Sequence, residues 1–145
     1  MNFEFWILNF EFILLFMMVF LFRILILLNT FNVIFFKRNQ DNYNALLADY
    51  CQKGLDLDLI TKIAFYLGHF ADLQKIVWFV LLYKGVKMKY TKERYVHPDA
   101  YQSVQSLPDE KIGWILKLFR LYMIGFAIVI FLFLDVFILL SVYKS

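Results

Sequence analysis

The stretch Phe131–Leu140, FLFLDVFILL, decides how the chain is read. Nine of its ten residues favour hydrocarbon; the fifth, Asp135, does not. Outward from it the run continues without a breaker from Asp109 to Tyr143, DEKIGWILKLFRLYMIGFAIVIFLFLDVFILLSVY. Ser106 followed by Pro108, Asp109 and Glu110 reads as a helix start, with a Ser cap, Pro in the first turn and two acids on the positive end of the dipole. At about 1.5 Å per residue such a helix is a rod of roughly 50 Å, longer than the ~30 Å hydrocarbon core of a bilayer. Ile112, Ile115, Leu116 and Phe119 share one stripe away from Lys111 and Lys117, so the first turns form an amphipathic stem. Arg120 closes the stem and Leu121–Val142 crosses the membrane.

Composition agrees. The 145 residues are 62% hydrophobic and 21% aromatic, with a mean hydropathy of +0.64, which is more apolar surface than a soluble domain of this length can hide. Eighteen Phe against five Gly and two Pro exclude a loop-rich or low-complexity chain. Of 15 Lys and Arg, 13 lie between Lys37 and Arg120. The single cysteine, Cys51, excludes an internal disulfide and lies in a helical pattern, as a packing or surface residue rather than a reactive thiol.

The other apolar block, Phe5–Phe36, is too long for one upright crossing and too short for two. A span over Glu4–Phe22 makes Arg23 the cytoplasmic rim, with ILILLNTFNVIFF continuing along or just under the membrane surface. A span over Ile13–Phe36 buries Arg23 and makes Lys37 and Arg38 the rim. A charge near the centre of a span costs about 2.5–3.5 kcal/mol. The early register accepts Glu11 with Asn9; the late one accepts Arg23 with Asn29, Thr30 and Asn32, so the early register is cheaper. Glu4 and Glu11 stand where a secretory signal carries basic residues, and no small-residue cleavage pattern follows, so the block reads as an uncleaved anchor. With Arg23, Lys37, Arg38, Lys111, Lys117 and Arg120 all beside the central segment, the positive-inside bias puts that segment in the cytoplasm and both termini across the membrane.

Three short helices are expected between the spans: DNYNALLADYCQK ending at Gly54, LDLDLITKIAFYLG starting near Asp56 or Asp58, and ADLQKIVWFVLLYKG from near Asp72 to Gly85. Ile76–Tyr83, apolar all round yet too short to span, must bury both faces against the other short helices and the membrane surface. After it, Lys84, Lys87, Lys89, Lys92 and Arg94 surround Met88 and Tyr90. Beside an anionic leaflet each cation gains about 1 kcal/mol, which suits docking to lipid or a partner; the same run also fits a plain solvated loop. A net charge of +3 on a membrane-tethered chain argues against nucleic acid.

Catalytic chemistry finds little support. His69 and His97 lie 28 residues apart without metal-ligand spacing, one at a helix end and one before Pro98, and read as cap or loop residues. No phosphate loop, nucleophile elbow or calcium loop is present, and no cofactor or metal is implied. What remains is intramembrane charge: Asp135, Glu11 and Arg23. The early register puts Glu11 and Asp135 at similar depth, suiting a shared proton or cation. The late register puts Arg23 near Asp135, as an ion pair holding the spans together. Asp135 also has a blander reading, reaching toward interfacial water or Lys144.

Arg23 closing the first helix, the basic-flanked KIVWFVLLYKG, and LPDEKIGWILKLFRLYMIG leading into the last span resemble the universal stress protein B family of small bacterial inner-membrane proteins. The resemblance implies a bacterial inner membrane, a stress-related or unassigned role, no catalytic residues, and an Arg at the first boundary, as in the early register. The expected fold is an all-α membrane protein: 4–36 the first transmembrane helix with its apolar extension, 37–107 a cytoplasmic helical module, and 108–143 the stem with the second transmembrane helix. The expected role is non-enzymatic, a regulatory or accessory protein touching the bilayer, a larger membrane protein or its own copies. An oligomeric channel or transporter subunit using Asp135 and Glu11 is the alternative. Composition alone adds a toxin-immunity membrane protein.

Overall fold

The computed structural model describes residues 3–90 and 92–144, the side chains of His69 and Phe70 excepted. It is all-helical, with α1 (Phe3–Arg38), α2 (Gln40–Gln52), α3 (Leu59–Ala64), a 3-10 segment (Phe65–Ala71), α4 (Asp72–Tyr83), α5 (Pro98–Gln105) and α6 (Asp109–Lys144). Two compact units result: residues up to Phe31 with those from Leu121 onward, and Asn32–Arg120. The second unit is thus wider than the expected 37–107, because the last turns of α1 and the first of α6 supply part of its core.

The first unit is a pair of apolar helices. Both α1 and α6 are long and apolar enough to cross a membrane, and only 6% and 11% of their most apolar windows are buried, unlike the core helix of a soluble protein. α1 runs unbroken through Arg23 to Arg38, so its apolar extension is not a separate surface-lying element. Along α1, Ile7, Glu11, Leu14, Met18, Leu21, Leu25 and Leu28 are withdrawn from the surface at alternating spacings of four and three, with Ile24 half-buried beside them. Along α6, Leu121, Gly125, Ile128, Leu132, Asp135, Leu139 and Val142 do the same, flanked by half-buried Tyr122, Val129 and Val136. That heptad repeat is the seam of a left-handed helix pair. The pairing is antiparallel: a Cβ on Gly125 would lie 3.5 Å from Leu28 Cδ2, Met18 and Phe22 share a groove with Leu132 and Val136, and Phe3–Phe10 border Val142.

The second unit is built around α4. Ile76, Phe79, Val80 and Leu82 are fully buried, and Trp78 nearly so. The apolar run is thus buried chiefly against the other helices, as expected, with Val77, Leu81 and Tyr83 left half-buried. Tyr43 and Tyr50 of α2 stand edge-on to Phe79 at 5.9 and 5.5 Å, while Phe36 and Tyr43 meet Trp114 at 6.1 and 6.4 Å. Val104 of α5 and Ile112, Ile115 and Leu118 of α6 close the core. Each such side chain contributes about 1.5–3 kcal/mol by leaving water.

Two local readings change, and one is settled between its two expected positions. Residues 98–105 form a fourth short helix, since Pro98 at its first turn is pre-set for helix and the His97 ring accepts the Asp99 N–H at 3.1 Å. Ser106 ends that helix and does not cap α6; its hydroxyl donates to the Ser103 carbonyl. Asp58 is the cap of α3, accepting the Thr61 N–H at 3.2 Å.

Candidate functional site

Asp135 lies on the seam of the helix pair. It is 6% exposed, and its Oδ2 is buried with no hydrogen-bond partner among the described residues. The antiparallel order sets Asp135 near the level of Met18, so Arg23 and Glu11 are displaced by roughly 7 and 10 Å along the axis in opposite directions. Glu11 is half-buried on the α1 stripe. Arg23 is exposed on the flank, lining a groove with Leu132 and Val136. Among the described residues neither is in an ion pair or hydrogen bond with Asp135, so the structure does not bring the three together.

Asn32 stands next on the same α1 repeat, within the second unit. It is 1% exposed, with both amide atoms unpaired among the described residues. The sequence showed Asn32 only as one of the polar residues of the late register; its burial emerges only in the folded chain.

The described residues of the basic run, 84–90 and 92–94, are folded. Tyr90 donates its N–H to the Arg94 carbonyl at 2.8 Å, Val96 to that of Met88 at 3.0 Å, and Lys89 and Tyr95 form an isolated antiparallel bridge. The Tyr101 hydroxyl accepts the Met88 N–H and donates to the Val86 carbonyl, pinning the turn to α5. Lys87 and Lys89 both sit over the Tyr95 ring, at 5.2 and 4.5 Å from its centre; Arg94 sits over Tyr90 and Lys84 over Phe119. Lys92 is exposed. Each such contact contributes about 0.5–1 kcal/mol at an exposed site and holds the cations at fixed points while leaving them accessible.

Lys75, buried on α4, donates to the Gly68 carbonyl at 3.0 Å and pairs with buried Asp72 at 3.4 Å. Gly68 has φ +61°, a conformation that favours glycine, and turns the chain from the 3-10 segment toward α4. Burial pushes the Tyr43 and Tyr50 hydroxyls well above their ordinary range, so both act as neutral hydrogen-bond donors. The Lys62 ammonium, 2.8 Å from Asp56, holds that carboxyl below its usual value. Cys51 is exposed. His97 caps α5, and the reading of His69 falls outside the described side chains.

These features define an all-helical protein in which two helices of membrane-spanning length carry a compact helical module. No family model, curated protein or solved structure matches it.

Proposed function

We propose that the chain is a non-enzymatic two-span protein of a bacterial inner membrane, with its module in the cytoplasm, acting as a regulatory or accessory element by contact with the bilayer or a larger membrane protein. The observation that carries this reading is the folded basic turn. Lys84, Lys87, Lys89 and Arg94 are held on aromatic rings, which suits a surface that presents positive charge to an anionic leaflet or partner. The bias of Lys and Arg toward the segment between the spans supports its cytoplasmic side. A stress-related role follows only from the resemblance to universal stress protein B.

The Leu28–Gly125 contact favours the later register of the first span. Gly125 is four residues inside a second span that starts at Leu121, so the level rim on α1 falls about four residues past Leu28, far beyond Arg23. Arg23 then lies at bilayer depth beside the turn that carries Asp135.

Purification of the full chain in mild detergent tests the role. Stoichiometric recovery with a larger membrane complex is the expected result, and a solitary monomer overturns the accessory reading. For orientation, a thiol introduced by Tyr90→Cys in a Cys51→Ser background is expected to resist an impermeant external reagent in whole cells; labelling reverses the topology.

A second reading, an oligomeric channel or transporter subunit, rests on the unpaired buried oxygen of Asp135. Cation or proton flux in proteoliposomes that disappears with Asp135→Asn supports it; absence of flux in both proteins removes it.

A further inference from the structure

The second unit leaves one face of large apolar side chains uncovered, and it is not the face of the helix richest in them. Leu59, Ile60, Ile63, Tyr66 and Leu67 are 67, 62, 48, 90 and 54% exposed, within nine residues of α3 and the 3-10 segment. The opposite face carries the small residues Thr61 and Ala64, both buried. This is the reverse of a soluble surface helix, which puts its large apolar residues inward. The arrangement is held, not frayed: Asp58 caps α3, and Lys75 fastens the Gly68 turn that follows.

Resting on the two-span reading above, we infer that Leu59–Leu67 is an interfacial element that enters the headgroup boundary of the same bilayer that the long helices cross. Two observations favour lipid over a protein partner, and the local charge does not oppose it. The unit that carries the face is joined at both ends to helices of membrane-spanning length, so a bilayer is tethered to it at high effective concentration. No acid occurs from Leu59 to Ala71, and the half-exposed Lys62 side chain is paired with Asp56 at 2.8 Å, so the face itself carries no uncompensated acid to repel an anionic leaflet. Tyr66, the most exposed of the five, pairs an apolar ring with a polar tip, the residue type that settles where hydrocarbon meets headgroups. A helix of this kind lies in the interface plane with its apolar face about 5–10 Å deep.

The test is nitroxide accessibility in the full chain, reconstituted in nanodiscs of phosphatidylethanolamine with phosphatidylglycerol. Single cysteines are introduced in a Cys51→Ser background by Ile63→Cys, by Tyr66→Cys, by Gln52→Cys as an aqueous reference, and by Phe133→Cys as a membrane reference. Labels at positions 63 and 66 are expected to collide with dissolved oxygen several-fold more than with a water-soluble nickel complex, reversing the order found at position 52. A water-like ratio at 63 and 66, with 133 still lipid-like, overturns the inference and leaves the two-span reading standing. A water-like ratio at 133 as well overturns both. Poor access to both relaxers at 63 and 66 overturns the inference in favour of a second copy or another protein on this face.

Discussion

Trp78 donates its indole N–H to the Tyr50 hydroxyl across 3.3 Å, and that hydroxyl donates onward to the Asp56 carbonyl across 2.9 Å. One oxygen thus ties α2 to α4 and to the loop that leads into α3. Replacing Tyr50 with Phe leaves the Trp78 N–H without its acceptor and the Asp56 carbonyl without its donor. The expected cost is about 1–3 kcal/mol, read as a lower thermal midpoint of the second unit, followed by tryptophan fluorescence in detergent.

The same hydroxyl sets a pH limit. Burial raises the pKa of Tyr43 and Tyr50 above the ordinary value of 10.0, so the folded form keeps protons that the unfolded form releases. Stability is then independent of these groups below about pH 10 and falls as pH climbs past it. Unfolding midpoints measured from pH 8 to 11.5 should drop at the alkaline end, and the slope should flatten in Tyr43→Phe with Tyr50→Phe, even though that protein starts from a lower midpoint.

Gly125 faces Leu28 at ordinary contact distance, with 3.5 Å available to a Cβ and little beyond. Gly125→Ala should leave the helix pair as stable as before, whereas Gly125→Leu should overpack the seam and cost about 1–3 kcal/mol. Adding Leu28→Ala to Gly125→Leu should recover part of the loss, a compensation measured as a non-additive double-mutant cycle in detergent.

Asp135 offers a buried oxygen with no partner among the described residues. Asp135→Leu removes that cost and should stabilise the helix pair in detergent by about 1–3 kcal/mol. Because Arg23 is in no ion pair or hydrogen bond with Asp135 among the described residues, Arg23→Leu should add to this change within about 0.5 kcal/mol. Coupling beyond that range would show that the two charges pair in the detergent-solubilised protein.

The two long helices were legible because uninterrupted apolar runs of this length have one stable arrangement wherever the backbone must satisfy itself. The start of α3 at Asp58, the start of α4 at Asp72 and its end before Gly85 were legible for an equally local reason: a capping side chain, an acid in the first turn and a positive-φ glycine act on their nearest neighbours. Residues 98–105 were missed as a helix because Ser106 satisfies the pattern of a start as readily as that of an end. The burial of IVWFVLLY against the other short helices was legible, but not which residues cover it, because apolarity reports burial without saying by what.

By itself, then, the sequence determined the helical class, the two membrane-length helices and the concentration of positive charge between them, all consequences of composition and near-neighbour geometry. Only the tertiary structure decided which residues cover α4 and that α3 turns its large side chains outward. It also decided that Asp135 faces the first helix at a level where neither Glu11 nor Arg23 meets it. Those outcomes depend on which surfaces meet across long stretches of chain, and hydropathy records a side chain's wish to leave water without naming what will cover it.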